Sequence, residues 1–153
     1  MKLMDELAGL VTELTGAKIE YAVCGGIAMS LHGFTRFTKD IDVLVHPDDL
    51  DRILKAVKNR GFEFGVKRMT LRGGTPEEMQ IQRVTKVVDT DYLVLDLVLV
   101  ADTLIEVWKT RELFAWNGQQ VCVISKTGLT TMKQLAGRPQ DLVDIQRLEY
   151  EDE

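Results

Sequence analysis

Asp40 and Asp42 stand two residues apart at the head of the apolar run Asp40-Ile-Asp-Val-Leu-Val45. Residues two apart on a strand share a face, so Ile41 and Val43 point the other way, toward a core. Two carboxylates about 7 Å apart on one strand face raise each other's pKa unless a cation lies between them. Such a pair is either a solvated strand end or a cation seat. A third acid, Asp96, interrupts the apolar run Tyr92 to Val100. A buried, unpaired carboxylate costs several kcal/mol or stays protonated. Asp96 therefore calls for a cation, a dedicated set of hydrogen bonds, or an arginine.

Gly25-Gly26 follows the short apolar strand Tyr21-Ala-Val-Cys24 and opens the helical stretch Ile27 to His32, which closes at Gly33. Glycines let a backbone approach a ligand closely, and a helix start offers unpaired N–H groups to an anion. Paired glycines also simply turn a chain. No Gly-Lys-Ser/Thr follows and a third glycine is missing, so neither a Walker-type phosphate loop nor a dinucleotide fingerprint is present.

The elements that must position these residues read in order. Leu3, Leu7, Leu10, Val11 and Leu14 recur at helical spacing and predict a helix over 3–15. After Asp40–Val45, Pro47 stops the strand, and Asp48 or Asp49 is expected to cap a helix over Leu50, Ile53, Leu54 and Val57. Phe62–Val66 alternates as a strand, Arg68–Arg72 extends it, and Gly73-Gly74-Thr75-Pro76 turns. Ile81–Val88 predicts a strand whose Arg83 and Lys86 lie on solvated faces or join Lys67, Arg68 and Arg72 in a local positive surface. A helix over Thr103–Lys109 is expected to be capped by Asp102 or Thr103. Asn117-Gly118 between Leu113–Trp116 and Gln120–Ile124 is a hairpin signal. Ser125 caps a helix ending at Gly137, Pro139 opens the last helix, and the acidic tail Glu149–Glu153 is expected to fray.

The 153 residues suggest a single domain, 1–153, with helices at about 125–150 packed on it. A net charge of −5 argues against a wide basic surface for nucleic acid. Cys24 and Cys122 lie in apolar runs and read as buried free thiols in a reducing compartment, and no Cys/His spacing suggests zinc. The acids of the N-terminus do not fit a signal peptide and the apolar runs are too short to span a bilayer, so a cytoplasmic protein is expected. His32 and His46 read as surface or structural residues.

The stretch Cys24-Gly-Gly-Ile-Ala-Met-Ser-Leu-His-Gly-Phe-Thr-Arg-Phe-Thr-Lys-Asp-Ile-Asp-Val43 resembles the minimal nucleotidyltransferase superfamily of DNA polymerase β. It is most similar to bacterial nucleotidyltransferases of the AbiEii type, as is the tail Met132-Lys133 with Ala136-Gly-Arg-Pro-Gln-Asp-Leu-Val-Asp-Ile145. The resemblance implies an α+β nucleotidyltransferase fold, a central mixed sheet flanked by helices with a short C-terminal helical hairpin. It makes Asp40, Asp42 and Asp96 the metal-binding catalytic triad for Mg²⁺ or Mn²⁺, hard cations suited to oxygen ligands. Gly25 and Gly26 then hold the phosphates of a nucleoside triphosphate such as ATP, with Ser30 and Arg36 contacting the same phosphates. Lys133 and Arg138 match basic tail positions that contact phosphate or dock the last helices. Asp141 and Asp144 match positions that cap or pair with Arg138.

The implied reaction transfers a nucleoside monophosphate to a hydroxyl of an RNA, protein or small-molecule acceptor. Asp96 would serve the ion nearest the attacking hydroxyl, while Asp40 and Asp42 bridge both ions. Only roughly 30 residues follow the hairpin, which leaves little surface for a tRNA. The alternatives are a non-catalytic nucleotide-binding or protein-interaction module, or an antitoxin-like partner of a helical toxin. A homo-oligomer is open in each reading.

Overall fold

A computed structural model describes residues 1–150. Eight strands form one mixed sheet. They are β1 (Ala22–Cys24), β2 (Ile41–Val45), β3 (Phe62–Gly65), β4 (Met69–Leu71), β5 (Met79–Val88), β6 (Asp91–Leu99), β7 (Glu112–Trp116) and β8 (Gln119–Val123). Their order is β3-β5-β6-β2-β1-β8-β7, with β4 paired to β5 off this path. β2 runs parallel to β6 and β1 parallel to β8, while β1–β2, β5–β6, β3–β5, β4–β5 and β7–β8 are antiparallel. The helices are α1 (Leu3–Gly16), α2 (Gly25–Leu31), α3 (Leu50–Lys58), α4 (Ile105–Lys109), α5 (Lys126–Ala136) and α6 (Pro139–Tyr150). This is the mixed α+β architecture with a central sheet and flanking helices that the sequence implied.

The two central strands show why the apolar runs read as they do. Ile41, Val43 and Val45 of β2 pair with Leu95, Leu97 and Leu99 of β6, and all six are buried. Asp42 and Asp96 fall between them and face the other side of the sheet together. On α1, Leu7, Leu10, Val11 and Leu14 form the buried stripe, as their spacing predicts. Asn117 and Gly118 take φ of 52° and 74°, the left-handed pair that a two-residue hairpin turn demands. Ser125 Oγ accepts from the Gly128 N–H at 3.0 Å, and Gly137 closes α5 in the left-handed region at φ 64°.

Several local expectations are corrected. Asp49 stands at the N-cap of α3 as expected, but its side chain makes no cap hydrogen bond and accepts from Arg52 Nη1 at 3.0 Å; a 3₁₀ turn at Pro47–Asp49 precedes the helix, and the His46 ring accepts from the Asp48 N–H at 3.2 Å. Neither Asp102 nor Thr103 caps the turn before α4, and Thr103 Oγ1 is buried with no partner. His32 is structural: its Nε2 lies 2.7 Å from the Ile124 carbonyl oxygen and its ring meets Phe114 edge-on. Glu149 and Tyr150 belong to α6, and the remaining tail expected to fray lies outside the described residues. Both cysteines are buried and unpaired. No helix among the described residues is long and apolar enough to cross a membrane.

Candidate active site

One row of side chains crosses four adjacent strands. Cys24 on β1 is opposite Asp42 on β2, Asp42 is level with Asp96 on β6, and Asp96 is opposite Arg83 on β5. Cross-strand partners point to the same face, so the sheet places these four side chains in line. Asp40 stands just before β2, at the end of the same face. The sheet thus brings Asp40, Asp42 and Asp96 to one region from two strands far apart in sequence.

The acids differ in what surrounds them. Asp96 is 7% exposed and its carboxylate accepts two hydrogen bonds from Arg83, Nε to Oδ1 at 2.8 Å and Nη2 to Oδ2 at 3.0 Å. The arginine that a mid-strand acid calls for is therefore present, and Arg83 is not on a free solvated face. Lys86 is likewise engaged, with its Nζ 2.9 Å from Glu6 Oε2. The carboxylates of Asp40 and Asp42 accept no hydrogen bond and form no ion pair among the described residues. Burial, then the charges of Asp96 and Asp40, push the Asp42 carboxyl up to about 7. Arg138 and Arg83 pull it down less. Burial, then the charges of Asp42 and Asp96, hold the Cys24 thiol well above its ordinary range.

The diglycine is built against this row. Gly25 has φ +66°, and a Cβ placed on it would stand 2.9 Å from both Cβ and Cγ of Asp42. A Cβ on Gly26 would stand 2.8 Å from Thr38 Cβ. Both glycines are needed because other side chains already fill the space. α2 begins at Gly25 itself, so its first N–H groups open beside Asp42. Ser30 lies one turn on, its hydroxyl 3.5 Å from the Gly26 carbonyl oxygen.

The basic residues form a second cluster. Lys133 is 6% exposed, with Nζ 2.9 Å from Asp144 Oδ2 and 3.8 Å from Asp141 Oδ1. Asp144 is fully buried and also accepts from Gln140 Nε2 at 3.1 Å. Arg138 binds Asp141 through its backbone N–H and through Nε and Nη2, at 3.0, 2.7 and 3.1 Å. Burial raises the Asp141 pKa, and the Arg138 hydrogen bonds outweigh that and leave it lowered. Asp141 thus caps and pairs with Arg138. Arg36 Nη2 lies 3.6 Å from Asp144 Oδ2, and its buried Nε has no partner. These contacts join α5, α6 and the loop before Asp40.

Whether the row suits a divalent cation can be judged from its donors. Asp40 and Asp42 present unpaired carboxylates beside Asp96, and burial first, then the charges of Asp96 and Asp40, raises the Asp42 pKa. Oxygen donors of this kind suit Mg²⁺ or Mn²⁺. Among the described residues no three His, Cys, Asp or Glu side chains are gathered closely enough to hold a metal as they stand. Arg83 occupies the oxygens of the third acid. An open cleft between α1 and α3, lined by Thr12, Glu13, Arg52, Lys55 and Asn59, shares no residue with the row.

The family model described as nucleotidyltransferase of unknown function (DUF6036) matches residues 1–151. No curated protein matches the sequence. Solved structures share the fold. A candidate nucleotidyltransferase from Thermotoga maritima superposes with a TM-score of 0.62 at 15% identity, over 97% of this chain and 92% of that one. ANT(2'')-Ia in complex with adenylyl-2''-tobramycin gives 0.59 at 16% identity, over 93% and 84%. A solution structure of the same antibiotic-resistance factor gives 0.61 at 15%, over 94% and 80%.

Proposed function

Because the chain belongs to the nucleotidyltransferase family whose model spans it, we propose that it transfers a nucleoside monophosphate from a nucleoside triphosphate to a hydroxyl of a small acceptor molecule. The acceptor oxygen forms a bond to the α-phosphorus, the bond from that phosphorus to the β-phosphate bridging oxygen breaks, and pyrophosphate leaves. The observation that carries this reading is the unpaired Asp42 carboxylate, level with Asp96 on the next strand and packed against Gly25.

Each part has a physical task. Asp40, Asp42 and Asp96 would hold Mg²⁺ or Mn²⁺, and that ion when bound supplies charge stabilisation for the triphosphate and lowers the pKa of the attacking hydroxyl. Asp96 takes the hydroxyl proton, because it is the acid on the strand farther from the diglycine. Gly25 and Gly26 admit the phosphates to the first N–H groups of α2, where Ser30 stands one turn on. Arg36, with its free Nε, completes the phosphate contacts. Lys133 sets the loop and the last helices around the site through Asp144.

A small hydroxylated acceptor is favoured over RNA or protein for two reasons. The net charge of −5 opposes a polyanion. The fold neighbour ANT(2'')-Ia holds an adenylylated small molecule and has 84% of its length matched by this chain. The test is incubation with each α-labelled nucleoside triphosphate, Mg²⁺ or Mn²⁺ and cell extract, followed by separation of small molecules from macromolecules. Label is expected in the small-molecule fraction and lost with Asp42→Asn. Unchanged turnover by that variant removes the reading, and label confined to RNA or protein removes the choice of acceptor.

A further inference from the structure

Arg83 has no part in the chemistry set out above, yet it holds both oxygens of the acid assigned to take the proton. We propose that Arg83 is a positioning residue that serves as the resident cation of Asp96. It withholds that carboxylate from a divalent ion until a triphosphate draws the guanidinium away, so that metal and nucleotide load together. This rests on the nucleotidyl-transfer reading.

The two ends of the pair are held unequally. The Asp96 side chain is 10% exposed and fixed in the middle of a central strand, whereas Arg83 is 37% exposed. Asp96 is the only hydrogen-bond partner of the Arg83 side chain among the described residues. The guanidinium can therefore leave by rotating its own side chain, with no backbone movement. It also stands close enough to Asp40 and Asp42 to feel their charge. A divalent ion arriving alone meets a positive charge already seated on one of its three acids. A triphosphate offers the guanidinium a more highly charged partner than a single carboxylate, one that can likewise accept two N–H bonds. The exchange leaves Asp96 free when the substrate arrives and paired at other times, which also spares the fold an uncompensated buried charge.

The test is Mn²⁺ binding, read from the loss of the free-ion electron paramagnetic resonance signal, with and without a non-hydrolysable triphosphate analogue. Without the analogue, Arg83→Gln is expected to bind Mn²⁺ about tenfold more tightly than the parent, since a unit charge near the ion is removed. Arg83→Lys, which keeps the charge but loses the two-point hold, falls between them. With the analogue present the parent gains affinity and the gap closes. Equal Mn²⁺ affinity of parent and Arg83→Gln without the analogue overturns the proposal, as does a parent indifferent to the analogue. If Arg83→Gln does not fold, Arg83→Lys is judged by the same comparison. Mn²⁺ and analogue binding with no effect of Arg83 defeats only this proposal; no Mn²⁺ on any form, with or without the analogue, defeats the nucleotidyl-transfer reading too.

Discussion

Gly25 sits against Asp42 so closely that a Cβ on the glycine would stand 2.9 Å from the aspartate's Cβ and Cγ. The glycine's φ of +66° adds a second obstacle for an L side chain. The diglycine and the Asp-x-Asp pair, read separately in the sequence, are one packed unit. Gly25→Ala should therefore destabilise the chain by roughly 1–3 kcal/mol. It should also abolish transfer, because Asp42 must move to make room. Thermal melts and a transfer assay check both, and a Gly25→Ala protein with parental melting temperature and turnover contradicts the packing.

Asp42 predicts a pH dependence with a definite sign. Its folded pKa of about 7 lies above the ordinary value of 3.8, so between these limits the folded chain binds more protons than the unfolded one. Stability from this group is therefore full below about 4 and is lost as pH rises through about 7. Asp42→Asn removes the ionisation. Its melting temperature should match the parent's near pH 4 and exceed it by roughly 8–16 °C at pH 8, a gain of about 4 kcal/mol for a pKa moved from 3.8 to about 7. Mg²⁺ should stabilise the parent more at pH 8 than at pH 5, because the ion competes with the proton. A difference between parent and variant that does not grow with pH refutes the assignment.

Lys133 is expected to matter for folding before it matters for phosphate. Its ammonium is buried between Asp144 and Asp141, and its removal leaves buried carboxylates short of a counter-charge. Lys133→Met should cost about 3–5 kcal/mol, read as a fall of roughly 6–20 °C in melting temperature. Adding Asp144→Asn to Lys133→Met should recover part of the loss. A folded Lys133→Met protein with parental stability and weakened triphosphate binding would reassign the residue to phosphate.

The elements were legible because their signals are local. Spacing on α1, Asn117-Gly118, Ser125 and Gly137 each act within one turn of chain, and the structure follows them. The burial cost of Asp96 was legible because a carboxylate inside an apolar run is costly wherever it lies. The partner of Asp96 was not, because pairing is set by register. One signal was available: Asp89-Thr90 form a two-residue turn between Val88 and Asp91, and stepping outward from it places Arg83 opposite Asp96. Asp49 does stand at the N-cap position of α3, but its carboxylate accepts from Arg52 Nη1 at 3.0 Å instead of from a helix N–H, a choice that spacing alone does not reveal. Lys133 could not be placed from sequence, since helix docking and phosphate contact both want a cation at that position.

Arg36 carries a buried donor that an anion would satisfy. Its Nε is buried without a partner, and its Nη2 lies 3.6 Å from Asp144, too long for a good hydrogen bond. Asp144 already has Lys133 and Gln140. Arg36 thus contributes little to the fold and carries an unsatisfied donor that costs about 1–3 kcal/mol. Such a donor persists where something else satisfies it. Arg36→Met should accordingly shift the melting temperature by no more than about 3 °C. It should weaken binding of a triphosphate by about tenfold or more, through loss of a charge-assisted hydrogen bond. Melts and a titration with a non-hydrolysable analogue separate the two effects. A large loss of stability with unchanged affinity would make Arg36 a strut between the loop and α6, and would leave the phosphates to the diglycine alone.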